Sequence, residues 1–336
     1  MKELRAAVIG LGFGRRHIQA YQRLPGVQVF AIVARNAERL EQARREFDIP
    51  AAYTDDAQLY EREDLDLVSI CTPDRLHAGQ ALRALQAGVH VLCEKPIATS
   101  LDEARALVQA VRSTGLAFMS GHDYRFVPQF ARLKALVEAG AVGDLLLGES
   151  CYVQDLYAME ALGPDYWRWA DPQDFYLGGA IHNVDLLRWI AGEVREAHSY
   201  AAHGMPFYAL DDTYVSNFVF ENGCIGRLLL VLGARLKEKF RFELTAYGSA
   251  GSVAATLGRS EVVQNVDALP GEAPSVLPVE SGDALDLEIA HWVECVRTGT
   301  PPAVDVVEGA KAVAVCLAAV RSAREGRPIA VDYGFL

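Results

Sequence analysis

The chain has 336 residues, of which 51% are apolar, and its 32 basic and 44 acidic side chains give a formal net charge of −12. This length is enough for two domains with buried cores. The negative charge disfavours nucleic acid or an anionic membrane surface as the main partner, so a small molecule is expected. No apolar run approaches the roughly 18 residues of a membrane span. The first strand starts close to Met1, so we expect a cytoplasmic protein without a signal peptide.

The six cysteines show no Cys-x-x-Cys spacing and fall inside apolar strand or helix patterns. The sequence therefore predicts reduced thiols in the core. Their positions are 71, 93, 151, 224, 295 and 316.

The N-terminal third alternates short apolar runs with helical patterns. Such alternation predicts a doubly wound parallel α/β domain of the Rossmann type over residues 1–123. The predicted strands are Arg5–Ile9, Val27–Val33, Leu67–Cys71, Val89–Cys93 and Leu116–Ser120, and the predicted helices begin at Arg15, Asn36, Leu76 and Leu101.

Beyond residue 123 the pattern favours antiparallel strands. Thr213–Phe220 and Ile225–Leu232 flank Asn222-Gly223, a sequence typical of a tight hairpin. We expect a second, α+β domain over residues 124–336, built on a large and mainly antiparallel open sheet, with two late helices that pack on either domain. Further predicted strands are Leu145–Val153, Glu196–Ala202, Phe240–Tyr247 and Ser252–Thr256, and the late helices are Ala284–Val296 and Val306–Arg324.

A glycine-rich loop joins the first predicted strand to the first helix. In a dinucleotide-binding loop, glycines allow a tight turn and let backbone amides approach a pyrophosphate. The third glycine comes one residue earlier than in Gly-x-Gly-x-x-Gly, and an ordinary strand-to-helix turn is the alternative. The candidate cofactor-binding residues here are Gly10, Gly12, Phe13, Gly14 and Arg15.

The end of the second strand bears on the choice of cofactor. A carboxylate about 20 residues beyond the glycines is typical of NAD sites, and an arginine is typical of NADP sites. The chain has Ala34 and Arg35 at this point. We therefore favour NADP and keep NAD as the alternative, because Arg35 is also compatible with a solvated surface residue.

Two further segments lie where predicted parallel strands end, the edge at which such sheets bind ligands. Thr72 and Pro73 follow the third strand and are expected to shape a loop beside a nicotinamide ribose. His77 begins the next helix, either as a further cofactor-binding residue or as a helix-start histidine without a ligand. Glu94 and Lys95, also candidate cofactor-binding residues, follow the fourth strand. A lysine is costly where a buried strand ends unless its charge has a function.

His182 and Asp185 lie in the first turns of a predicted helix that Gly178 and Gly179 precede. A histidine suits proton exchange near neutral pH, and Asp185 shares its helical face and could orient it. The alternative is a core histidine beside an aspartate that supports the helix start. Two ligands alone do not predict a metal site.

Taken together, these motifs resemble the glucose-fructose oxidoreductase, inositol dehydrogenase and MocA family. The resemblance covers nearly the whole chain. It rests on the glycine loop with His17, Thr72-Pro73 with His77, Glu94-Lys95-Pro96, Tyr124-Arg125-Phe126, the glycines before His182-x-x-Asp185, and Gly248-Ser249-Ala250-Gly251-Ser252.

The resemblance implies a dehydrogenase or reductase that acts on a carbinol of a sugar, inositol or related polyol, with Lys95 polarising the reacting oxygen and His182 exchanging its proton. Many members carry an aspartate four residues before that histidine, where this chain has Gly178. Asp185, Asp174 or Tyr152 are the alternatives for its role.

Three expectations complete this interpretation. Substrate-binding candidates are Lys95, His182, Tyr124, Tyr152 and Arg168, which lies between two tryptophans. A homo-oligomer, dimer or tetramer, is expected from the resemblance. The competing functions are a redox-neutral glycosidase that retains its nicotinamide, and a non-catalytic protein that senses the nucleotide.

Overall fold

The computed structural model describes residues 3–62, 64–160, 163, 174–237, 240–266 and 273–335. Within these ranges the chain forms two compact units. One contains the residues up to Asp123 together with Asp283–Val313 and the C-terminal residues from Gly334, and the other contains Tyr124–Gly282 and Ala314–Tyr333.

The first unit contains a six-stranded parallel sheet in the order β3-β2-β1-β4-β5-β6. This is the strand order of a Rossmann fold, as predicted. The strands are β1 (Leu4–Ile9), β2 (Val27–Val33), β3 (Ala51–Tyr53), β4 (Leu67–Ile70), β5 (His90–Glu94) and β6 (Phe118–Gly121). The helices between them are α1 (Gly14–Gln22), α2 (Ala37–Glu46), α3 (Asp56–Arg62), α4 (His77–Gln86) and α5 (Leu101–Thr114).

Local sequence explains where these helices start and stop. Asn36 caps α2 because its side chain accepts a hydrogen bond from the backbone N–H of Arg39. Ser100 caps α5 in the same way, by accepting from the backbone N–H of Glu103. Gly115, at φ 67°, ends α5 in the left-handed conformation that favours glycine. The sequence did not predict β3 and α3.

The second unit contains a nine-stranded sheet in the order β14-β13-β12-β11-β7-β10-β9-β8-β15. Among the described strands, only β7 and β10 pair in parallel, which confirms a mainly antiparallel sheet. The strands are β7 (Leu145–Gln154), β8 (Val194–Ala202), β9 (Thr213–Phe220), β10 (Ile225–Val231), β11 (Phe240–Gly248), β12 (Gly251–Thr256), β13 (Glu261–Val266), β14 (Ser275–Pro278) and β15 (Ile329–Ala330).

Helices α6 (Pro128–Glu138), α7 (Tyr157–Glu160) and α8 (Ile181–Ala191) belong to the same unit. Helices α6 and α8 pack on strands of the large sheet. The predicted hairpin is confirmed, since β9 and β10 pair antiparallel around Gly223, whose φ is 87°.

Two helices follow the large sheet in sequence, α9 (Ala284–Thr298) and α10 (Val306–Glu325). Asp283 caps α9 by accepting from the backbone N–H groups of Leu285 and Asp286. Helix α9 packs on α1 in the first unit. Among the described residues, no helix combines the length and apolarity that crossing a membrane requires.

Candidate active site

The three glycines of the loop before α1 have different surroundings. Gly10 has φ 96°, and a Cβ there would lie 2.5 Å from the carbonyl oxygen of Cys71. A Cβ at Gly14 would lie 2.9 Å from Cγ1 of Val8, so this glycine lets α1 approach β1. At Gly12 a Cβ would meet nothing within 4 Å, which leaves that side of the loop open. A tight turn, an open approach and close helix packing are what a bound pyrophosphate requires.

The start of α1 is suited to an anion. Phe13, at the N-cap, is 37% exposed and gives no side-chain cap, so no capping side chain occupies the backbone N–H groups of the first turn. The guanidinium of Arg15 pairs with Glu46 and lies 4.9 Å from the ring centre of Phe47. A cofactor contact of Arg15 stays a prediction.

At the end of β2, Ala34 is half-buried and Arg35 is exposed. Neither position supplies a carboxylate for a ribose hydroxyl. The arginine is therefore available to a ligand at this edge, and the choice between the two cofactors stays open.

The loop after β4 is tied to the loop after β5. His77 is 1% exposed, and its Nδ1 lies 2.7 Å from the carbonyl oxygen of Pro96 and its Nε2 2.7 Å from that of Thr72. The Thr72 hydroxyl donates to Oε1 of Gln80 at 2.6 Å. Both nitrogens of His77 thus contact backbone carbonyls, and a direct contact of His77 with a cofactor stays a prediction.

Glu94 is buried against a histidine from α1. Its Oε1 lies 3.0 Å from Nε2 of His17, whose Nδ1 lies 3.2 Å from the hydroxyl of Ser69. The Tyr21 hydroxyl lies 2.8 Å from the same Ser69 oxygen. Because a carboxylate only accepts, Nε2 of His17 carries the proton, and in a neutral ring Ser69 donates to Nδ1 and Tyr21 to Ser69. Both ring nitrogens of His17 and the hydroxyls of Ser69 and Tyr21 then have hydrogen-bond partners.

Glycine provides the space for this carboxylate. Gly121 pairs with Glu94 in the β5–β6 register, and a Cβ at Gly121 would lie 3.1 Å from Oε1 of Glu94. The carboxylate of Glu94 contacts His17, a residue noticed only through the family resemblance. A contact of Glu94 with the cofactor stays a prediction.

The charges around Lys95 shift two carboxyl groups in opposite directions. Burial alone would raise the pKa of Glu94, but the hydrogen bond and charge of His17, with the charge of Lys95, hold it below its ordinary value. Burial and the negative charge of Glu94 raise the pKa of Asp123 to about 7, against the opposing charges of Lys95 and Arg16. One carboxyl acted on by Lys95 is therefore ionised at neutral pH, and the other is half-titrated. Sequence reasoning missed Asp123, whose only signal was its place just beyond β6.

In the second unit, His182 lies at the start of α8 and is 8% exposed. Its ring stacks on Tyr124, with ring centres 4.1 Å apart and planes at 18°. Tyr124 also meets Phe242 edge to face at 4.7 Å. The predicted proton-exchanging histidine and a predicted substrate-binding tyrosine are thus brought together.

Asp185 forms a buried ion pair with Arg125, whose Nε and Nη2 donate to its two carboxylate oxygens at 2.8 and 2.6 Å. This two-bond geometry fixes α8 against the segment before α6. The hypothesis that Asp185 orients His182 stays a prediction. Arg125 was not among the predicted site residues, because nothing in the sequence pairs it with a residue 60 positions away.

The other candidates for the missing aspartate have partners of their own. Gly178 lies in a π-helical turn, Tyr176–Ala180, that leads into α8. Asp174 accepts from the backbone N–H of Tyr176 at 3.0 Å, and burial raises its pKa. The Tyr152 hydroxyl donates to Gln154 at 2.9 Å. Arg168 lies outside the described residues. In the described part of the chain no group of three or more His, Cys, Asp or Glu side chains is arranged to hold a metal ion.

A parallel sheet with this strand order, a glycine loop open toward a pyrophosphate and a lysine just beyond β5 define a nicotinamide-dependent oxidoreductase. Comparison with known families agrees. Residues 4–122 match the oxidoreductase family with an NAD-binding Rossmann fold, and residues 130–254 match the GFO/IDH/MocA C-terminal domain. The chain belongs to the GFO/IDH/MocA oxidoreductase family.

Individual relatives match this chain over most of their length. The D-apiose dehydrogenase of Paraburkholderia graminis is 27% identical over 340 residues, 98% of this chain and 90% of that protein. The scyllo-inositol 2-dehydrogenase (NAD(+)) of Bacillus subtilis is 28% identical over 349 residues, 98% and 97% of the two chains. A levoglucosan dehydrogenase structure in complex with NADH and L-sorbose has a TM-score of 0.90 at 23% identity, over 99% of this chain and 100% of that one, which shows the shared fold.

Proposed function

We propose that the protein transfers a hydride between a nicotinamide cofactor and a carbinol or ketone carbon of a sugar, inositol or related polyol. The observation that carries the proposal is the position of Lys95, next to the buried carboxylate of Glu94 and in the same unit as the open glycine loop. Relatives named as dehydrogenases of apiose and inositol support the substrate class.

The nicotinamide would supply or accept the hydride, and the glycine loop with the N-terminus of α1 would bind its pyrophosphate. Lys95 stabilises the negative charge that develops on the substrate oxygen. His182 exchanges the hydroxyl proton, and its stacking on Tyr124 fixes the plane of the ring. Asp185 supports this arrangement through Arg125, which holds the first turns of α8 in place.

Substitution of Lys95 by methionine tests the assignment. Lys95→Met keeps the length of the side chain but removes its charge, so we expect turnover to fall by about 100-fold or more while cofactor binding persists. Lys237→Met, at an exposed lysine of the second unit, is the matched control and should retain full activity. Full activity of Lys95→Met would end the proposal.

We propose NADP as the preferred cofactor, because the ribose end of the site offers Arg35 and no carboxylate. Arg35→Ala should weaken NADP binding by about 10-fold and leave NAD binding within about twofold. Titration of both cofactors, followed by fluorescence, measures this. A clear preference of the unmodified protein for NAD would overturn it.

The substrate is to be identified by assaying inositols, monosaccharides and glycosides with each cofactor. Cleavage of a glycoside without net consumption of cofactor would instead indicate a redox-neutral glycosidase. We also propose a cytoplasmic homo-oligomer, a dimer or tetramer. Exposed apolar side chains on strands of the large sheet, at Leu146, Tyr200 and Ile225, support association, and light scattering of the purified protein tests it.

A further inference from the structure

The hydrogen bonds of His77 determine how many protons its ring carries. Both ring nitrogens lie 2.7 Å from carbonyl oxygens, those of Pro96 and Thr72, and the side chain is 1% exposed. A backbone carbonyl can only accept. A neutral imidazole has one N–H and would leave a bare nitrogen facing a carbonyl oxygen, whereas an imidazolium donates to both.

We propose that His77 is a positioning residue that acts as an imidazolium clamp between the Thr72-Pro73 loop and the Lys95-Pro96 loop. One N–H fixes the carbonyl of Pro96, the residue after Lys95, and the other fixes the carbonyl of Thr72. The inference rests on the proposed function in one respect. If that function holds, the Thr72-Pro73 loop contacts the nicotinamide ribose and the Lys95-Pro96 loop contacts the reacting oxygen.

Neighbouring groups favour a positive charge at His77. The carboxylate of Glu94 lies within its electrostatic reach, since burial raises the pKa of Glu94 and the charges of His17, Lys95 and His77, in that order of size, lower it. Asp74, on the preceding turn, is 6% exposed and adds a second acidic group. Lys95 and Arg75 are the cationic groups on the two tethered segments, and they act in the opposite sense. Buried cations persist where carboxylates compensate them.

Both ends of the clamp are fixed to regular structure. His77 is the first residue of α4, and Thr72 is held to the same helix by its hydroxyl bond to Gln80. Pro96 directly follows Lys95 beyond the end of β5. A proton lost from His77 would therefore leave a buried carbonyl without a donor, and the loop that bears Lys95 would lose one of its attachments to α4.

The protonation state is measured directly by ¹⁵N NMR of the histidine rings in the unmodified protein without cofactor. His77→Gln identifies the signals of His77 among those of the eight histidines. At about pH 7.5, where an unperturbed imidazole is mostly neutral, we expect both nitrogens of His77 to carry protons. One protonated and one bare nitrogen would overturn the inference. This result does not depend on turnover, so it separates failure of the clamp from failure of the proposed function.

Cofactor affinity tests the consequence. Glutamine in place of His77 can keep only one of the two hydrogen bonds to the carbonyls of Pro96 and Thr72. For His77→Gln we therefore expect the dissociation constant of the reduced cofactor to rise about fivefold, the effect of one lost hydrogen bond. We also expect kcat to change less than KM. Titration of the reduced cofactor into each protein at about pH 7.5, followed by fluorescence, measures the affinities, and steady-state kinetics separates kcat from KM.

His198→Gln, at a histidine on β8 in the second unit, is the matched control and should bind like the unmodified protein. Equal affinity of His77→Gln and the unmodified protein for the reduced cofactor would contradict the clamp. If His77→Gln fails to fold, single glutamine variants of the other histidines assign their own signals, and the signals of His77 among the eight histidines follow by elimination in the unmodified protein.

Discussion

At the scale of single residues, the hydrogen bond between His17 and Glu94 offsets the free-energy cost of burying the Glu94 carboxylate beside Lys95. His17→Leu removes the donor and leaves Glu94 unpaired, so we expect a loss of about 1–3 kcal/mol in the free energy of unfolding at pH 7. The pKa of Glu94 is held low in the folded state, so this stabilisation is present above the unfolded pKa and disappears as the pH falls through the folded value.

Urea unfolding of His17→Leu at neutral and acid pH measures both effects. The difference from the unmodified protein should shrink as the pH falls through the folded pKa of Glu94 and the carboxyl becomes protonated. His198→Leu, a histidine outside this network, is the control. A loss of stability that is equal at both pH values would point to packing rather than to the charge of Glu94.

The contribution of Asp123 to stability depends on pH in the opposite direction to that of Glu94. Its pKa is raised to about 7, so its contribution to stability is complete below the unfolded value and is lost as the pH rises through about 7. Asp123→Asn, which cannot ionise, should therefore be more stable than the unmodified protein at about pH 8 and similar to it at about pH 4. Thermal unfolding at the two pH values measures this, and an asparagine variant that is less stable at the higher pH would refute it.

At the scale of elements, helix α9, which packs against α1, buries polar side chains at an unusual cost in free energy. Glu288 and Trp292, one turn apart, are fully buried, and neither carboxyl oxygen of Glu288 has a hydrogen-bond partner among the described residues. Burial, with the negative charges of Asp123 and Glu94, raises the pKa of Glu288 well above its ordinary value. Burial therefore favours the protonated, uncharged form of this side chain.

Replacing this acid by an apolar side chain removes the cost. Glu288→Leu should raise the free energy of unfolding by about 1–3 kcal/mol at pH 7, whereas Glu288→Gln, which keeps a buried polar group, should change it little. Glu294→Leu, at an exposed position of the same helix, is the control. Urea unfolding of the three variants measures these differences. Destabilisation by leucine alone would show that Glu288 has partners that stabilise it.

Sequence predicts elements in proportion to their length and periodicity. The bounds of helices α9 and α10 and of the hairpin strands β9 and β10, and the start of α5, were predicted to within a few residues, because each repeats its apolar pattern several times. β3 has three residues and β15 has two, too few for a pattern, so pairing with β2 and with β8 decides their conformation.

At the scale of the whole molecule, the sequence predicts the candidate catalytic and cofactor-binding residues better than the long-range contacts that hold them in place. Lys95 and the glycine loop follow from strand ends alone, because parallel strands place their carboxyl ends at one edge. The contacts between His17 and Glu94 and between Arg125 and Asp185 join residues 77 and 60 positions apart, and no local pattern records such a distance. Asp123 and Glu288 were missed for the same reason, since burial and neighbouring charge give them their properties.

The six thiols test the whole fold at once. The described cysteines are free, five are buried, and burial raises the pKa of each, that of Cys151 to about 11. Because the thiolate is the reactive form, native protein at about pH 8 should react slowly with an aromatic disulfide reagent. The first thiol to react should be that of half-buried Cys151. After unfolding in urea, all six thiols should react. Cys151→Ser should remove the earliest phase. Rapid reaction of several native thiols, or a melting temperature that reductant lowers, would contradict a core of reduced cysteines.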